Sequence, residues 1–288
     1  MENHFNCPIA VIGGTGTELM KLADTHVETV QTPYGEAEVE IGFLAGSMDT
    51  NPLNRKHVVA FLKRHGSAHR VPPHLINYRA NIMALKQLGV RKILATAAAG
   101  SLSTIHLPGD LVLLSQFIDF TKNRLSTYFE GGTGVLHVDM TEPYCPEFAR
   151  EIRTGAEMAG IPLSENGIYI CTEGPRFETP AEIRMYASWG ATLVGMTGVP
   201  EVVLARELGL CYNSVCLVTN WAAGLTGTPL THEEVLQSGA QAQQQIIRLI
   251  EAVLETAHPK QSCSCPQSAS EAGFFMMDTM EKKEPQTP

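Results

Sequence analysis

Short apolar runs alternate with amphipathic stretches along residues 8 to 257, and this alternation predicts strands and helices in turn. Ile9–Gly13 is an apolar run that ends in glycine, and Lys92–Ala98 is a second, almost uninterrupted run. Asn77–Leu88 places its apolar residues near helical spacing and is followed by Gly89, a common helix terminator. The other predicted strands are Val58–Leu62, Asp110–Ile118, Thr192–Met196 and Cys211–Val218.

Helix signals separate the later strands. Thr179-Pro180-Ala181-Glu182 combines a capping threonine, a proline at the first helical position and an acidic residue in the first turn. Further helices are predicted over Pro200–Leu208 and from His232 to about Ala257. The alternation predicts a single α/β domain with a mixed central β-sheet flanked by helices, over residues 1–258. Residues 259–288 are rich in Ser, Pro, Lys and Glu and are predicted to form a disordered tail.

Composition narrows the functional class. The chain carries 21 Lys and Arg against 30 Asp and Glu, a net charge of −9, which does not favour binding to nucleic acid or to an anionic membrane. No window approaches the roughly 18 apolar residues of a membrane span. The N-terminal residues lack the layout of a secretory signal, and the odd number of cysteines, 7, does not favour an extracellular disulfide framework. A cytoplasmic protein is therefore expected. Cys263 and Cys265 could be a redox or stabilising pair, but a solvated pair of thiols without a role is the favoured interpretation.

Glycines follow the first strand in Gly13-Gly14-Thr15-Gly16. Such a turn can aim backbone N–H groups and the Thr15 hydroxyl at an oxyanion. The dinucleotide fingerprint fails because Leu19 stands where its third glycine belongs, and a Walker loop lacks its Gly-Lys-Ser/Thr. A tight turn and an anion site both remain open.

A basic loop runs from Arg64-His65-Gly66 through His69 to His74. An arginine beside a histidine suits a phosphate clamp, whereas the alternative is a solvated basic loop. A metal site on His65 and His69 is not expected, because Gly66 weakens a helix here and the glutamate of a zincin is missing.

Tiny and polar residues end several predicted strands. Ala95–Ser101 would let a ligand approach the backbone closely, although tight helix–sheet packing explains it equally well. Three further strand ends supply an aromatic ring, a carboxylate, an amide and hydroxyls, which is the inventory for a planar heterocycle and a sugar. These are Gly174–Thr179, Gly195–Glu201 and Val218–Gly224.

Together these motifs resemble the trimeric purine nucleoside phosphorylase and methylthioadenosine phosphorylase family. The resemblance extends from Ile9 to the long C-terminal helix and rests on Gly13–Gly16, Arg64-His65-Gly66, Asn77–Asn81, Ala98–Ser101, Gly174–Thr179, Met196-Thr197 and Val199-Pro200-Glu201. It implies reversible phosphorolysis of a purine nucleoside to the free base and a ribose 1-phosphate. Phosphate is then a co-substrate, and no organic cofactor or metal is implied.

The resemblance also implies roles for individual residues. Asn220, Glu178 and His65 are expected to carry catalysis, and a homotrimer is expected, with sites near the subunit interfaces. The phosphate cradle implied is Thr15, Arg64, His65, the Ala98 backbone and Thr197. The nucleoside site implied is Phe177, Glu178, Met196, Asn220, Trp221, Ala222 and His232, with His137 lent by a neighbouring subunit. His69 is expected near the ribose.

Glu178 and Asn220 match the 6-oxopurine branch of the family, whereas the adenine-specific branch carries an Asp-aromatic-Asp pattern around position 220 and a small hydroxyl residue at position 178. A carboxylate at 178 accepts from N1–H of hypoxanthine or guanine and repels the bare N1 of adenine. The expected substrates are inosine, guanosine or 5′-methylthioinosine. The alternatives are an adenine-specific 5′-methylthioadenosine phosphorylase and a non-catalytic purine-binding protein of the same fold.

Overall fold

A central sheet organises the chain in the computed structural model, which describes residues 8–14, 20, 22–44, 58–66, 70–130, 135–226 and 232–268, with the backbone alone for 232–242. The strands are β1 (Ile9–Gly13), β2 (Leu22–Thr32), β3 (Gly35–Leu44), β4 (Val58–Lys63), β5 (Lys92–Ser101), β6 (Leu111–Phe120), β7 (Ser164–Thr172), β8 (Leu193–Gly195) and β9 (Cys211–Trp221). The helices are α1 (Tyr78–Gln87), α2 (Pro146–Ala159), α3 (Pro180–Ser188), α4 (Glu201–Glu207) and α5 (His232–Thr256), with a 3-10 turn at Pro73–Leu75.

The sheet is mixed, and one part of it closes on itself. Its strand order is β2-β3-β4-β1-β5-β8-β7-β6-β9, and β9 pairs in addition with β5. The β1, β4, β5 and β9 strands run parallel where they pair, so their carboxyl ends point to one side. The extra pairing turns β5, β8, β7, β6 and β9 into a closed ring of strands. The predicted mixed α/β sheet is therefore confirmed, and the barrel-like closure is an addition that the sequence pattern did not predict.

Local signals explain why the predicted helices form. The Asn77 side chain caps α1 by accepting from the Ala80 N–H, and Gly89 follows the helix with a φ of 81°. Thr179 and Glu182 form a reciprocal capping box at the start of α3, with Pro180 at the first helical position. These predictions are confirmed, with helix and strand ends shifted by a few residues.

Hydrophobic residues are buried on both faces of the sheet. One core cluster lies where α1 and α4 cover the sheet, and a second lies beneath α2 and α5. The α2 and α5 helices approach closely at Gly155, where a Cβ would lie 3.0 Å from the backbone nitrogen of Val253. Among the described helices, none is both long and apolar enough to cross a membrane.

The stretch that follows α5 packs against the domain. Gln261 Nε2 donates to the carbonyl oxygens of Arg91 and Gly209 at 3.0 and 3.1 Å, and Cys265 is only 2% exposed. For residues 259–268 this packing differs from the disorder predicted from composition, because polar side chains here bond to specific backbone groups. The Cys263–Cys265 pair is therefore not the solvated pair of thiols expected above. The rest of the predicted tail, 269–288, lies outside the described residues.

Candidate active site

The ends of β1, β4, β5, β7, β8 and β9 meet around a cavity of about 330 Å³. This volume suits a small molecule of nucleoside size. Most residues predicted for the site line this one cavity. They are Arg64, His65, Ala98, Phe177, Glu178, Met196, Thr197, Asn220 and Ala222.

Arg64 reaches the cavity from the end of β4 and is held by a buried ion pair. Its Nε and Nη2 donate to the two carboxylate oxygens of Glu201 at 2.5 and 3.0 Å, and Nη1 donates to the Thr96 carbonyl at 2.7 Å. Both charged side chains are 1% exposed. Burial works to lower the pKa of Arg64, but the adjacent Glu201 carboxylate outweighs it and raises that pKa above its usual value. Arg64 is thus a fixed cation whose charge is already balanced, rather than a free two-pronged clamp.

Gly14 makes room for this arginine. A Cβ at position 14 would lie 2.7 Å from Arg64 Nη1, which is closer than real Cβ contacts allow. The glycine turn after β1 therefore lines the cavity and lets the guanidinium lie against the backbone. The sequence left open a tight turn and an anion site at this position. The structure places Gly14 of the turn at the candidate ligand cavity, and Thr15 lies outside the described residues.

His65 follows Arg64 and is also buried, at 9% exposure. Its Nδ1 lies 2.8 Å from the Val71 carbonyl oxygen. Because a carbonyl only accepts hydrogen bonds, Nδ1 must carry the hydrogen.

The alanine run at the end of β5 forms part of the wall. Ala97, Ala98, Ala99 and Gly100 all line the cavity. Small residues here bring the strand backbone close to whatever fills the space, which is the ligand-binding interpretation of this stretch. In the sheet order, β5 lies between β4 and β7. Arg64 and His65 follow β4, and the loop after β7 carries Glu178.

Glu178 provides the carboxylate on the opposite side of the cavity. Thr172 Oγ1 donates to its Oε1 at 2.7 Å, and the neighbouring Arg176 turns away to Glu182. Desolvation by burial raises the pKa of Glu178 above its ordinary value, although the bond from Thr172 opposes this. The group is a carboxylate acceptor in a partly dry site, with a hydroxyl to orient it.

Asn220 is the last residue but one of β9, and two local hydrogen bonds orient its amide. Thr219 Oγ1 donates to Oδ1 at 2.7 Å, and Nδ2 donates to the Trp221 carbonyl at 2.8 Å. An amide has two N–H bonds and two acceptor lone pairs, so each end retains capacity for a ligand. Glu178 and Asn220 therefore line a common cavity with matching acceptor and donor–acceptor groups.

Met196 and Thr197 come from the end of β8. The Thr197 N–H donates to the Tyr169 hydroxyl at 3.3 Å, which ties this turn to β7. Gly174 has a φ of 66°, and a Cβ there would lie 2.7 Å from Met196 Sδ, so only glycine accommodates both the backbone and the thioether. Phe177 is 37% exposed and faces the cavity rather than the core, which leaves a flat apolar surface for a ligand.

Five predicted site residues do not line the cavity in the described part of the structure: two lie elsewhere, and the side chains of the other three are not described. Trp221 is half-buried and contributes its carbonyl to Asn220 without lining the cavity, and His137 is exposed on the surface. The backbone of His232 begins α5, but its side chain is not described, and Thr15 and His69 fall outside the described residues. For these positions the roles implied by the resemblance stay predictions.

Several residues that organise the site carry no assigned role in the sequence analysis. Glu201 is named there only as part of a motif, and its ion pair with Arg64 is not predicted. The hydrogen bonds by which Thr172 orients Glu178 and Thr219 orients Asn220 are not predicted either. Arg124 is the largest omission. Its guanidinium donates to six acceptors behind the site, namely the Tyr78 hydroxyl, the Cys171 sulfur and the carbonyls of Thr172, Glu173, Met196 and Val199. An arginine in an irregular segment gives no local signal of this kind, because its partners are distant in the chain.

Comparisons with known proteins show which family the chain belongs to. The phosphorylase superfamily matches residues 8–255. The 6-oxopurine nucleoside phosphorylase of Pyrococcus furiosus is 46% identical over 263 residues, which is 89% of this chain and 96% of the relative. The probable S-methyl-5′-thioinosine phosphorylase of Methanopyrus kandleri is 46% identical over 261 residues, with shares of 90% and 96%.

A solved structure shows the same fold. The crystal structure of a methylthioadenosine phosphorylase sourced from an antarctic soil metagenomic library superposes with a TM-score of 0.83 at 34% identity. The match covers 93% of this chain and 92% of the other.

Proposed function

Because the chain belongs to the phosphorylase superfamily, we propose that it catalyses the reversible phosphorolysis of 6-oxopurine nucleosides. The products are the free purine base and a ribose 1-phosphate or 5-methylthioribose 1-phosphate, which is a reaction of purine salvage. One observation carries the proposal: Glu178 and Asn220 line the same cavity as Arg64, His65 and Thr197. A purine site and an anion site therefore adjoin across a space of nucleoside size.

Phosphate is the second substrate, and the β1, β4 and β8 ends are the proposed cradle. Arg64, His65 and the Thr197 hydroxyl surround the anion. Because Glu201 already balances the charge of Arg64, phosphate recognition depends on several oriented donors acting together rather than on one unpaired cation. Held beneath C1′, the anion stabilises the positive charge that develops on the sugar as the glycosidic bond breaks, and then attacks C1′.

The base is recognised through complementary hydrogen bonds. The Glu178 carboxylate accepts from N1–H. The Asn220 amide donates to O6, and it accepts from N7–H once N7 has taken up a proton from solvent as the base departs. As the bond to C1′ breaks, negative charge accumulates on the purine, so a bond from Asn220 strengthens toward the transition state. Adenine offers a bare N1 to the carboxylate, and such a mismatch between buried polar groups costs orders of magnitude in rate.

The proposal leaves open whether the 5′ group of the sugar is a hydroxyl or a methylthio group. Relatives named as a 6-oxopurine nucleoside phosphorylase and as a probable S-methyl-5′-thioinosine phosphorylase are equally similar to this chain. We further propose a homotrimer in which exposed His137 of one subunit completes the site of its neighbour. A reducing, cytoplasmic setting is proposed as well, because none of the six described cysteines forms a disulfide.

A nucleoside panel tests the proposal. Inosine, guanosine, 5′-methylthioinosine and 5′-methylthioadenosine are each incubated with and without phosphate, and free base is measured by chromatography. We expect phosphate-dependent release of hypoxanthine or guanine that exceeds adenine release at least tenfold. Preferential adenine release would favour the methylthioadenosine alternative, and no phosphate-dependent release from any nucleoside would favour a binding protein. Light scattering of the full chain tests the trimer.

A further inference from the structure

Four cysteine sulfurs gather at a point that the proposed reaction does not use. They belong to Cys145, Cys211, Cys263 and Cys265, and all lie within 4.8 Å of one another. The first precedes α2, the second begins β9, and the last two follow α5. Three of the four side chains are buried and Cys263 is half-buried.

The spacing of these sulfurs fits a tetrahedral metal site. Zn²⁺ bound by four thiolates has Zn–S distances of about 2.3 Å, which places the sulfurs about 3.8 Å apart. Cys211 Sγ and Cys263 Sγ are 3.2 Å apart, and the whole group stays within 4.8 Å, so the cluster brackets this geometry. Only one residue separates Cys263 from Cys265, whereas neighbouring zinc ligands are usually separated by two to four residues. The other two ligands, Cys145 and Cys211, come from distant segments of the chain.

N–H donors surround the sulfurs as they do around metal-bound thiolates. The Phe148 backbone N–H donates to Cys145 Sγ at 3.5 Å, and Gln261 Nε2 donates to Cys211 Sγ at 3.3 Å. Such bonds orient thiolate ligands and offset their charge.

Arg206 gives an independent indication of negative charge at this point. Its side chain is buried, at 9% exposure, and its Nη1 donates to Cys265 Sγ at 3.3 Å. Within the described residues Arg206 makes no ion pair with a carboxylate, and its Nε has no hydrogen-bond partner. The exposed Asp139 carboxylate acts on Arg206 only through space, and neutral thiols carry no charge, so burying this cation remains costly. Four thiolates on one Zn²⁺ carry a net negative charge that offsets it.

We propose that Cys145, Cys211, Cys263 and Cys265 bind a structural Zn²⁺ ion. Each thiol releases its proton to solvent on binding. Because the protein supplies four ligands, the site is closed and leaves no position for a substrate. It also lies far from the catalytic cavity: Cys211 begins β9 and Asn220 lies nine residues further along it, a separation of about 30 Å at the rise of a strand. The ion would clip the segment after α5 onto α2 and β9.

Metal analysis of the full-length protein tests this proposal. The protein is produced in zinc-supplemented medium, purified under reducing conditions without chelator, and analysed by mass spectrometry for metals. We expect about one Zn²⁺ per chain. Replacement by Co²⁺ should give the visible bands of tetrahedral thiolate coordination, and a strong chelator should lower the melting temperature.

Two ligand variants and one control variant test whether the zinc is bound at this cluster. Cys263→Ser and Cys265→Ser should each lose at least nine-tenths of the bound zinc and become insensitive to the chelator. Cys216→Ala is the control, because Cys216 is a buried cysteine on the same strand as Cys211 but outside the cluster. It should keep its zinc, and phosphorolysis by each variant reports whether the domain is folded.

Other outcomes would overturn the proposal. Less than about a tenth of a zinc ion per chain, together with no thiolate bands on adding Co²⁺ to the wild-type protein, would show that the cluster binds no metal. Thiol titration in denaturant that finds these cysteines paired as disulfides would do the same. Equal zinc content in Cys263→Ser, Cys265→Ser and the wild-type protein would place the metal elsewhere.

Discussion

Replacing Glu201 with glutamine should break the ion pair that positions Arg64, while the size of the side chain is kept. The carboxylate accepts from two nitrogens of Arg64 and from the Tyr212 hydroxyl at 2.8 Å. Glutamine retains one acceptor oxygen but turns an N–H₂ group toward Arg64 or Tyr212. The substitution therefore leaves a buried guanidinium without its counter-charge.

The expected magnitude follows from burial. Removing one partner of a buried ion pair costs about 3–5 kcal/mol, and both side chains here are 1% exposed. For a domain of this size, each kcal/mol lowers the melting temperature by roughly 2–4 °C, so a drop of about 6–20 °C is expected. Because Arg64 also lines the cavity, the KM for phosphate should rise several-fold more than the KM for the nucleoside.

Thermal unfolding and steady-state kinetics with varied phosphate provide the readouts. Glu165→Gln is the matched control, because the Arg153–Glu165 pair has a similar separation of 3.0 Å but side chains that are 38% and 42% exposed. Its loss should cost at most about 1 kcal/mol. If Glu201→Gln behaved like this control in stability and left the KM for phosphate unchanged, the positioning role of Glu201 would be wrong.

The other predictions concern the base site and the turn beneath the sugar. Asn220→Asp should lower kcat/KM for inosine and raise it for adenosine-type substrates, and two unchanged rates in the nucleoside panel would contradict the base-site assignment. Burial raises the pKa of Glu178, so its carboxylate form weakens folding as pH rises through that pKa. Glu178→Gln should therefore melt higher at neutral pH yet cleave inosine more slowly. It should also lose the acidic limb that ionisation of Glu178 gives to the wild-type pH–rate profile. A lower melting point or a retained limb would refute this. Gly174→Ala should cost more stability than Gly160→Ala and should also raise the KM for nucleoside, because both glycines have φ near 65° but only position 174 meets Met196. Equal losses of melting temperature in the two variants would exclude the contact with Met196 as the cause.

Elements with local sequence signals can be predicted from the sequence. The β3 strand and the α2 helix have such signals too, although the sequence analysis above does not predict them. The β3 strand alternates Glu36, Glu38 and Glu40 with buried Ala37, Val39 and Ile41, a two-residue period that indicates a strand. The α2 helix begins with a proline after Cys145 and ends at Gly160, which are both common boundary residues. These elements were detectable in principle. The pairing of β9 with both β5 and β6 was not, because strand order depends on contacts between distant segments.

The sequence by itself determined the local structure and the chemical inventory of this protein. Caps, glycine turns and apolar runs act within a few residues, and they placed the polar groups of Glu178, Thr197 and Asn220 at strand ends. Only the tertiary structure decided how those groups are balanced. Arg64 meets Glu201 across 137 residues, and Cys145 meets Cys263 and Cys265 across a stretch almost as long. Such partners are selected by sheet register and by burial, since a charge or thiol in the interior is stabilised by whichever group the folded chain places beside it.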